Sequence, residues 1–281
     1  MALMLCAMFM FAAGDTIAKL LTSSFHPVQI IWFRQLGLLI GVLVLLGMKG
    51  PAILHTKQLG LQLTRGALVV GSSILFVFAV RYVALVDAVA ASFVAPFFLT
   101  IAAALILKEK IGIRRWAAVV IGFIGAVIVI RPGMGVVHPA VMLVVVAAAL
   151  YASRQIIGRL LADTDKTITT IAYTALTASA IISVPLVFFW KTPVSLTQWL
   201  LLLSMALVAS LGEILIIKAL EVAEAHVVAP IHYTLIIWGT FYGFLVFGQL
   251  PDNWTLVGAL IIVLAGLYTL RRDSRVSHDT P

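Results

Sequence analysis

Five ionisable side chains stand inside stretches that otherwise read as lipid-soluble: Asp15 and Lys19 in FAAGDTIAKLL, Arg34 in the next apolar run, and Arg154 and Glu213 in the second half. A charge at helix depth in a bilayer costs about 2.5–3.5 kcal/mol on insertion scales, so such residues face a bundle interior or a water-filled cavity. Counted at 1.5 Å per helical residue, Asp15 and Arg34 fall at matching depth in the outer third, with both chain ends inside. Arg154 and Glu213 fall together in the inner third. Each set has two uses. As an ion pair it lowers the cost of insertion. As separate groups it offers a carboxylate to a substrate's ammonium and a guanidinium to its carboxylate. One pair near each side is what a carrier with two gates requires, and Gln155 beside Arg154 joins the candidates. Lys218 can snorkel to the inner surface.

The run HVVAPIHYTLIIWGTFYG, from His226 to Gly243, is the most polar-aromatic of the chain. Pro230 removes a backbone donor there and can kink a helix, freeing carbonyls toward a cavity. His232, Tyr233 and Trp238 either line that cavity or pack between helices. Their rings suit an apolar side chain or a cation–π contact with an ammonium. Ser72 and Ser73 sit among small residues and serve either close helix contact or a ligand. Pro96 is a second kink candidate, with Ser92 and Thr100 able to satisfy freed backbone. Gly122, Gly125, Gly258 and Gly266 read as close-packing positions. No Walker A loop, HExxH, CxxC or acid-rich cluster occurs, so no catalytic residue, metal or cofactor is expected.

These residues need spans to position them, and the composition supplies spans. Of 281 residues 63% are hydrophobic and 11% charged, with a mean hydropathy of +1.15. A soluble domain carries about a quarter charged residues. The lone Cys6 allows no intrachain disulfide and reads as packing. The net charge of +8 forms no aromatic-interleaved stripe, so no nucleic acid partner is expected. Apolar runs long enough for a bilayer core of ~30 Å number ten: 2–22, 28–48, 63–81, 86–107, 114–131, 138–161, 168–190, 197–218, 225–247 and 254–271. The first lacks a basic n-region and reads as a span rather than a signal peptide. With the N-terminus cytoplasmic, inner loops and tail carry thirteen Lys and Arg against four outside, once Arg34 and Arg154 are set aside as intramembrane. That excess puts both termini in the cytoplasm of a multi-pass inner-membrane protein. The polar tail after Leu270 is expected to be disordered.

The stretch FAAGDTIAKLL returns as YASRQIIGRLL at Tyr151, 140 residues on, and the same ungapped shift pairs Phe33 with Tyr173, Gln58 with Gln198 and Arg131 with Arg271. Five spans per repeat is an odd number, so the second half enters the membrane inverted, as in many secondary transporters with a midplane site between repeats. The fold class expected is all-α integral membrane, ten transmembrane helices as two inverted five-helix repeats. The repeats cover 1–133 and 134–272, with 273–281 as a cytoplasmic tail.

At this point the chain resembles the drug/metabolite transporter superfamily, specifically its EamA-type exporters. The carrying motif is PFFLTIAAALILKEKIGIRRWAAVVIGFIGAVIVI, from Pro96 to Ile130, repeated as FYGFLVFGQLPDNWTLVGALIIVLAGL, from Phe241 to Leu267. Gln249 stands where the family usually has a glutamate. The resemblance covers nearly the whole chain and is nearest the YddG-type amino-acid exporters. It implies secondary export of small metabolites, most of all amino acids, by alternating access. The alternatives are efflux of lipophilic cations by proton exchange, sugar-type solutes and, in another class, a scaffold or intramembrane enzyme. The partners implied are a small-molecule substrate, the lipid bilayer and a second copy docked through spans five and ten.

Overall fold

The computed structural model describes residues 1–108, 112–131, 138–222 and 229–278, with the backbone alone for 115, 217, 220–222, 229, 230 and 269–278. Glu109 and Lys110 of the motif, His226 and the break at Pro132-Gly133 lie outside the described residues, as does the side chain of Pro230.

Every regular element described is helical. In chain order the α-helices are α1 (Ala2–Leu21), α2 (Pro27–Lys49), α3 (Leu59–Val80), α4 (Leu85–Ser92), α5 (Ala95–Ile106), α6 (Ile113–Ile130), α7 (Val141–Ala162), α8 (Thr167–Phe189), α9 (Leu196–Val222), α10 (Leu235–Phe247) and α11 (Asn253–His278). Short 3-10 turns cover Pro51–Leu54 and Ala229–Thr234. Counting Leu85–Ile106 as one span, seven helices are long and apolar enough to cross a membrane, and three shorter apolar helices, Trp116–Ile130, Ile231–Phe247 and Asn253–Tyr268, match the fifth, ninth and tenth expected runs. The protein is a multi-pass, all-helical membrane protein.

Helix ends follow local chemistry. Pro27 opens α2 at a position whose N–H has no intrahelical partner, and His26 caps it by accepting from the Val28 N–H at 3.4 Å. The fourth span is two helices. Pro96 begins α5 at its first turn, and the chain breaks just before it at Phe93 and Val94. Ser92 donates to the Val89 carbonyl at 2.7 Å and Thr100 to that of Pro96 at 3.1 Å. The described part of the ninth span opens with the 3-10 turn Ala229–Thr234, which passes into α10 at Leu235. The tail departs from expectation: α11 continues through Arg271 to His278. Residues 271–278 hold no proline or glycine, so nothing in them stops a helix already nucleated upstream.

Packing puts α1 against α9 and α10, α3 against α7 and α8, α2 against α8 and α9, α7 against α5, α4 against α10, and α6 against α11. These partnerships map onto one another when each span is exchanged with the one five places on. The α6–α11 contact is made by glycines. A Cβ on Gly258 would stand 2.6 Å from the Gly125 carbonyl oxygen, and one on Gly125 2.9 Å from that of Gly258. This stripe is therefore used inside the chain. The outward faces of the same helices are apolar, with Ile121, Ile124, Val127, Leu256, Leu260 and Leu264 exposed, as lipid requires.

Candidate functional site

The face that carries Met1 is called here the N-terminal face. Charges gather near both ends of the bundle, and they are handled differently.

Near the opposite face, Asp15 on α1 and Arg34 on α2 lie about 9–10 Å along their helices from that end. Arg34 Nη1 donates to Asp15 Oδ1 at 2.8 Å, with side-chain exposures of 19% and 9%. The depth reading thus brings the two together in direct contact. Nearby, Lys19 Nζ donates to the carbonyl of Val83, just before α4, and lies 5.3 Å from the centre of the Phe247 ring. Thr255 of α11 donates its hydroxyl to Asp87 of α4 at 2.9 Å. Asp252 pairs with Arg131 at 2.6 Å and accepts the Thr255 N–H at 2.8 Å. Burial works against the Asp252 charge, yet that N–H and Arg131 outweigh it and hold the carboxyl below its ordinary value. Gln29 exchanges two hydrogen bonds with the Lys191 backbone, at 2.8 and 2.9 Å. A cleft of about 340 Å³ at this face is lined by Lys19, Leu20, Thr22, Ser23, Arg81 and Phe247.

Near the N-terminal face, Arg65 on α3, Arg154 on α7 and Glu213 on α9 lie about 9–13 Å along their helices from that end. The expected Arg154–Glu213 pair is corrected here: among the described residues no ion pair closes between them. Arg154 instead lays its guanidinium over the Tyr151 ring, 4.5 Å from its centre. Arg65 donates to the Thr174 hydroxyl and lies in electrostatic range of Arg154, Glu213 and Tyr151. The Nε atoms of Arg65 and Arg154 are both buried without a partner. Arg65, Arg154 and Glu213 are all half-buried. Charges at that depth face a bundle interior or a water-filled cavity rather than lipid. Arg65 was counted among the loop charges in the sequence. The run 63–81 already contains it, so counting depth from the start of that run, as for Asp15 and Arg34, is the signal that finds it; α3 begins earlier still, at Leu59.

Between these sets lie the helix breaks. Phe93 stacks on Tyr233 at 5.1 Å with planes 26° apart, and meets His232 edge-on at 6.2 Å. The break in span four and the 3-10 turn ahead of α10 are therefore in direct contact. Trp238 packs edge-to-face on Phe9 of α1 at 5.1 Å, and its buried indole N–H has no partner. Gln155 is half-buried beside Arg154. Ser72 is buried and bonds its own helix at the Val69 carbonyl, 3.1 Å away, while Ser73 is half-buried. Neither serine is drawn to the charged sets by any bond. Asp87 escaped the sequence reading because an acid in a helix's first turn is an ordinary dipole partner.

The model of the EamA-like transporter family matches residues 1–131 and 138–271. Similar proteins include an S-adenosylmethionine uptake transporter of Rickettsia bellii, 27% identical over 94% of this chain and 90% of that one. A riboflavin transporter of Vibrio cholerae is 32% identical, covering 80% of this chain and 76% of its own. A pseudopaline exporter of Pseudomonas aeruginosa is 25% identical over 92% of this chain and 91% of its own. One solved crystal structure superposes with a TM-score of 0.65 at 12% identity, covering 96% of this chain and 98% of that one, a likeness of fold alone.

Proposed function

This chain belongs to the EamA-like transporter family, and on that premise we propose that it is a secondary carrier moving small metabolites by alternating access about a cavity between its halves. The observation that carries the reading is the contact of Phe93, at the break in span four, with Tyr233, in the 3-10 turn that leads into α10. Interrupted helices at corresponding positions of two halves point to the substrate site of a carrier. Residues 93 and 233 are themselves related by the 140-residue shift, so their stacking is what a two-fold axis through the breaks would produce. The exchangeable helix partnerships support the same reading, with 1–133 and 134–272 as inverted repeats. The excess of Lys and Arg supports cytoplasmic termini in the inner membrane.

In this reading the Lys19–Val83 bond ties α1 to the start of α4 beside the cleft at the opposite face, while the half-buried Arg65, Arg154 and Glu213 meet the solute from the N-terminal side. The substrate class we propose is amino acids and similar metabolites. S-adenosylmethionine, for which some relatives are named, is itself an α-amino acid carrying an aromatic base. Trp238 and Phe9 offer ring surface for such a base. Relatives are named for uptake and for export, so export, the direction the resemblance implies, is left to the assay. A second reading, exchange of a lipophilic cation for protons, is favoured by one observation: Glu213 closes no ion pair among the described residues.

Counterflow in proteoliposomes tests both. Vesicles preloaded with unlabelled amino acids, S-adenosylmethionine or a quaternary ammonium are given the labelled solute outside. Selective uptake of an amino acid or S-adenosylmethionine is expected. Exchange of the quaternary ammonium alone, dependent on a pH gradient, would move the assignment to the second reading.

A further inference from the structure

The charges near the N-terminal face do not add up as a closed structural unit. Two guanidinium groups, Arg65 on α3 and Arg154 on α7, stand on helices packed against each other, and a Cβ on Gly158, one turn on from Arg154, would lie 3.6 Å from Arg65 Nε. Each is anchored by a neutral group, Arg65 by the Thr174 hydroxyl and Arg154 by the Tyr151 ring. Each leaves a buried Nε without an acceptor. The nearby carboxylate, Glu213, closes no ion pair with either.

A buried donor left unsatisfied is costly, more so when charged, and like charges inside a bundle repel. A bundle built only for stability would fill the gap with an acid. The sequence shift shows where that acid is missing. Under the 140-residue offset the Asp15–Arg34 pair corresponds to Gln155 and Thr174. At the second site the carboxylate position therefore holds an amide, and the hydroxyl that replaces the arginine is the one Arg65 uses.

We infer that Arg65 and Arg154 form a subsite for the carboxylate of the transported solute, with Glu213 across the opening placed for its cationic end. This rests on the carrier reading above and adds to it the group that the substrate must carry. Guanidinium is suited to the task because its planar fork meets both oxygens of a carboxylate at once. The Tyr151 face and the Thr174 hydroxyl hold the two forks in place without neutralising them, which leaves the charge free for a ligand.

The test is a binding measurement that does not need transport. The full chain in lipid nanodiscs is unfolded thermally with benzoate or with benzamide, which match in shape and differ in charge. Benzoate is expected to raise the midpoint by several degrees and benzamide to leave it unchanged. Arg65→Gln and Arg154→Gln should each abolish the benzoate shift, and Lys49→Gln, at the exposed end of α2, should keep it. Arg154→Lys, which retains charge without the fork, guards against misfolding of the glutamine variant and should show a reduced shift. Equal effects of benzoate and benzamide, or a benzoate shift intact in the arginine variants, would overturn the subsite. A benzoate shift that depends on both arginines, in a protein that exchanges nothing in counterflow, would sink the carrier reading and leave the subsite standing.

Discussion

The Asp15–Arg34 set and the Arg65–Arg154–Glu213 set lie at similar depths from opposite faces, yet one is closed and the other open. Asp15 and Arg34 satisfy each other at 2.8 Å. Among the described residues the second set holds two cations against one anion and keeps two guanidinium nitrogens without acceptors. Helix depth alone makes both sets candidates for substrate. The difference in pairing separates a charge the fold has neutralised from a charge it has left exposed to an incoming solute.

The largest effect that could break this contrast is at the closed pair. Asp15→Asn strands Arg34 in a mostly buried position, and removing one partner of a buried pair costs about 3–5 kcal/mol. A clear fall in the unfolding midpoint of the purified protein is expected. Asp15→Asn combined with Arg34→Gln should recover most of it, since neither charge is then left alone. A double variant as unstable as the single one would mean that Arg34 answers to something besides Asp15.

At the open set the sign reverses. Arg154→Gln removes a like charge from beside Arg65 and loses only the Tyr151 ring contact, about 0.5–1 kcal/mol for a partly exposed cation–π pair. Stability without ligand should stay within about 1 kcal/mol of the wild type. A loss as large as that of Asp15→Asn would make the second set structural after all. Glu213 would then have to be its partner in solution.

How much of this was legible beforehand follows from what hydropathy records. The ten apolar runs survive averaging over a window, so the spans and the all-helical class were readable. Depth follows from counting, which is why Asp15 and Arg34 meet. Pro96 announces its own break through its missing N–H. Azimuth is what a window cannot see. Arg65 looked like a loop charge because it stands only two residues inside the run 63–81, whereas α3 begins at Leu59. The equal depths of Arg154 and Glu213 implied a pair that α7 and α9 do not close. The Tyr151 ring and the Thr174 hydroxyl are tertiary neighbours that no spacing rule selects.

The latch at the opposite face is a smaller matter. Lys19→Met removes a charged donor from the Val83 carbonyl, a bond worth about 1.5 kcal/mol. Hydrogen exchange over Leu85–Ser92 should quicken by about tenfold if that bond ties down the start of α4. The same variant should leave exchange in α7 near Arg154 unchanged. Acceleration at both ends would show that the two charged regions open together and would blur the distinction between them.

The smallest expected effect lies outside the spans, at the N-terminal face, where the fold satisfies a carboxylate with neutral donors rather than with a cation. Asp165, between α7 and α8, accepts from the Thr56 hydroxyl, from Gln62 Nε2 at 2.7 Å and from the Lys57 N–H at 3.4 Å. The Thr56 bond leads in holding its carboxyl below the ordinary aspartate range, with Gln62 and the Lys57 N–H adding to it against a small opposing effect of burial. A carboxyl depressed in the folded state contributes stability above its unfolded value, near 3.9, and loses it as pH falls through the folded value. The stability difference between wild type and Asp165→Ala should therefore be constant above about pH 5 and shrink as the medium is acidified below about pH 4. Asp165 is open to water, so the difference will be modest and will weaken with salt. If it instead grew on acidification, Asp165 would be an acid held protonated, and the contrast between closed and open charges at that face would have to be redrawn around it.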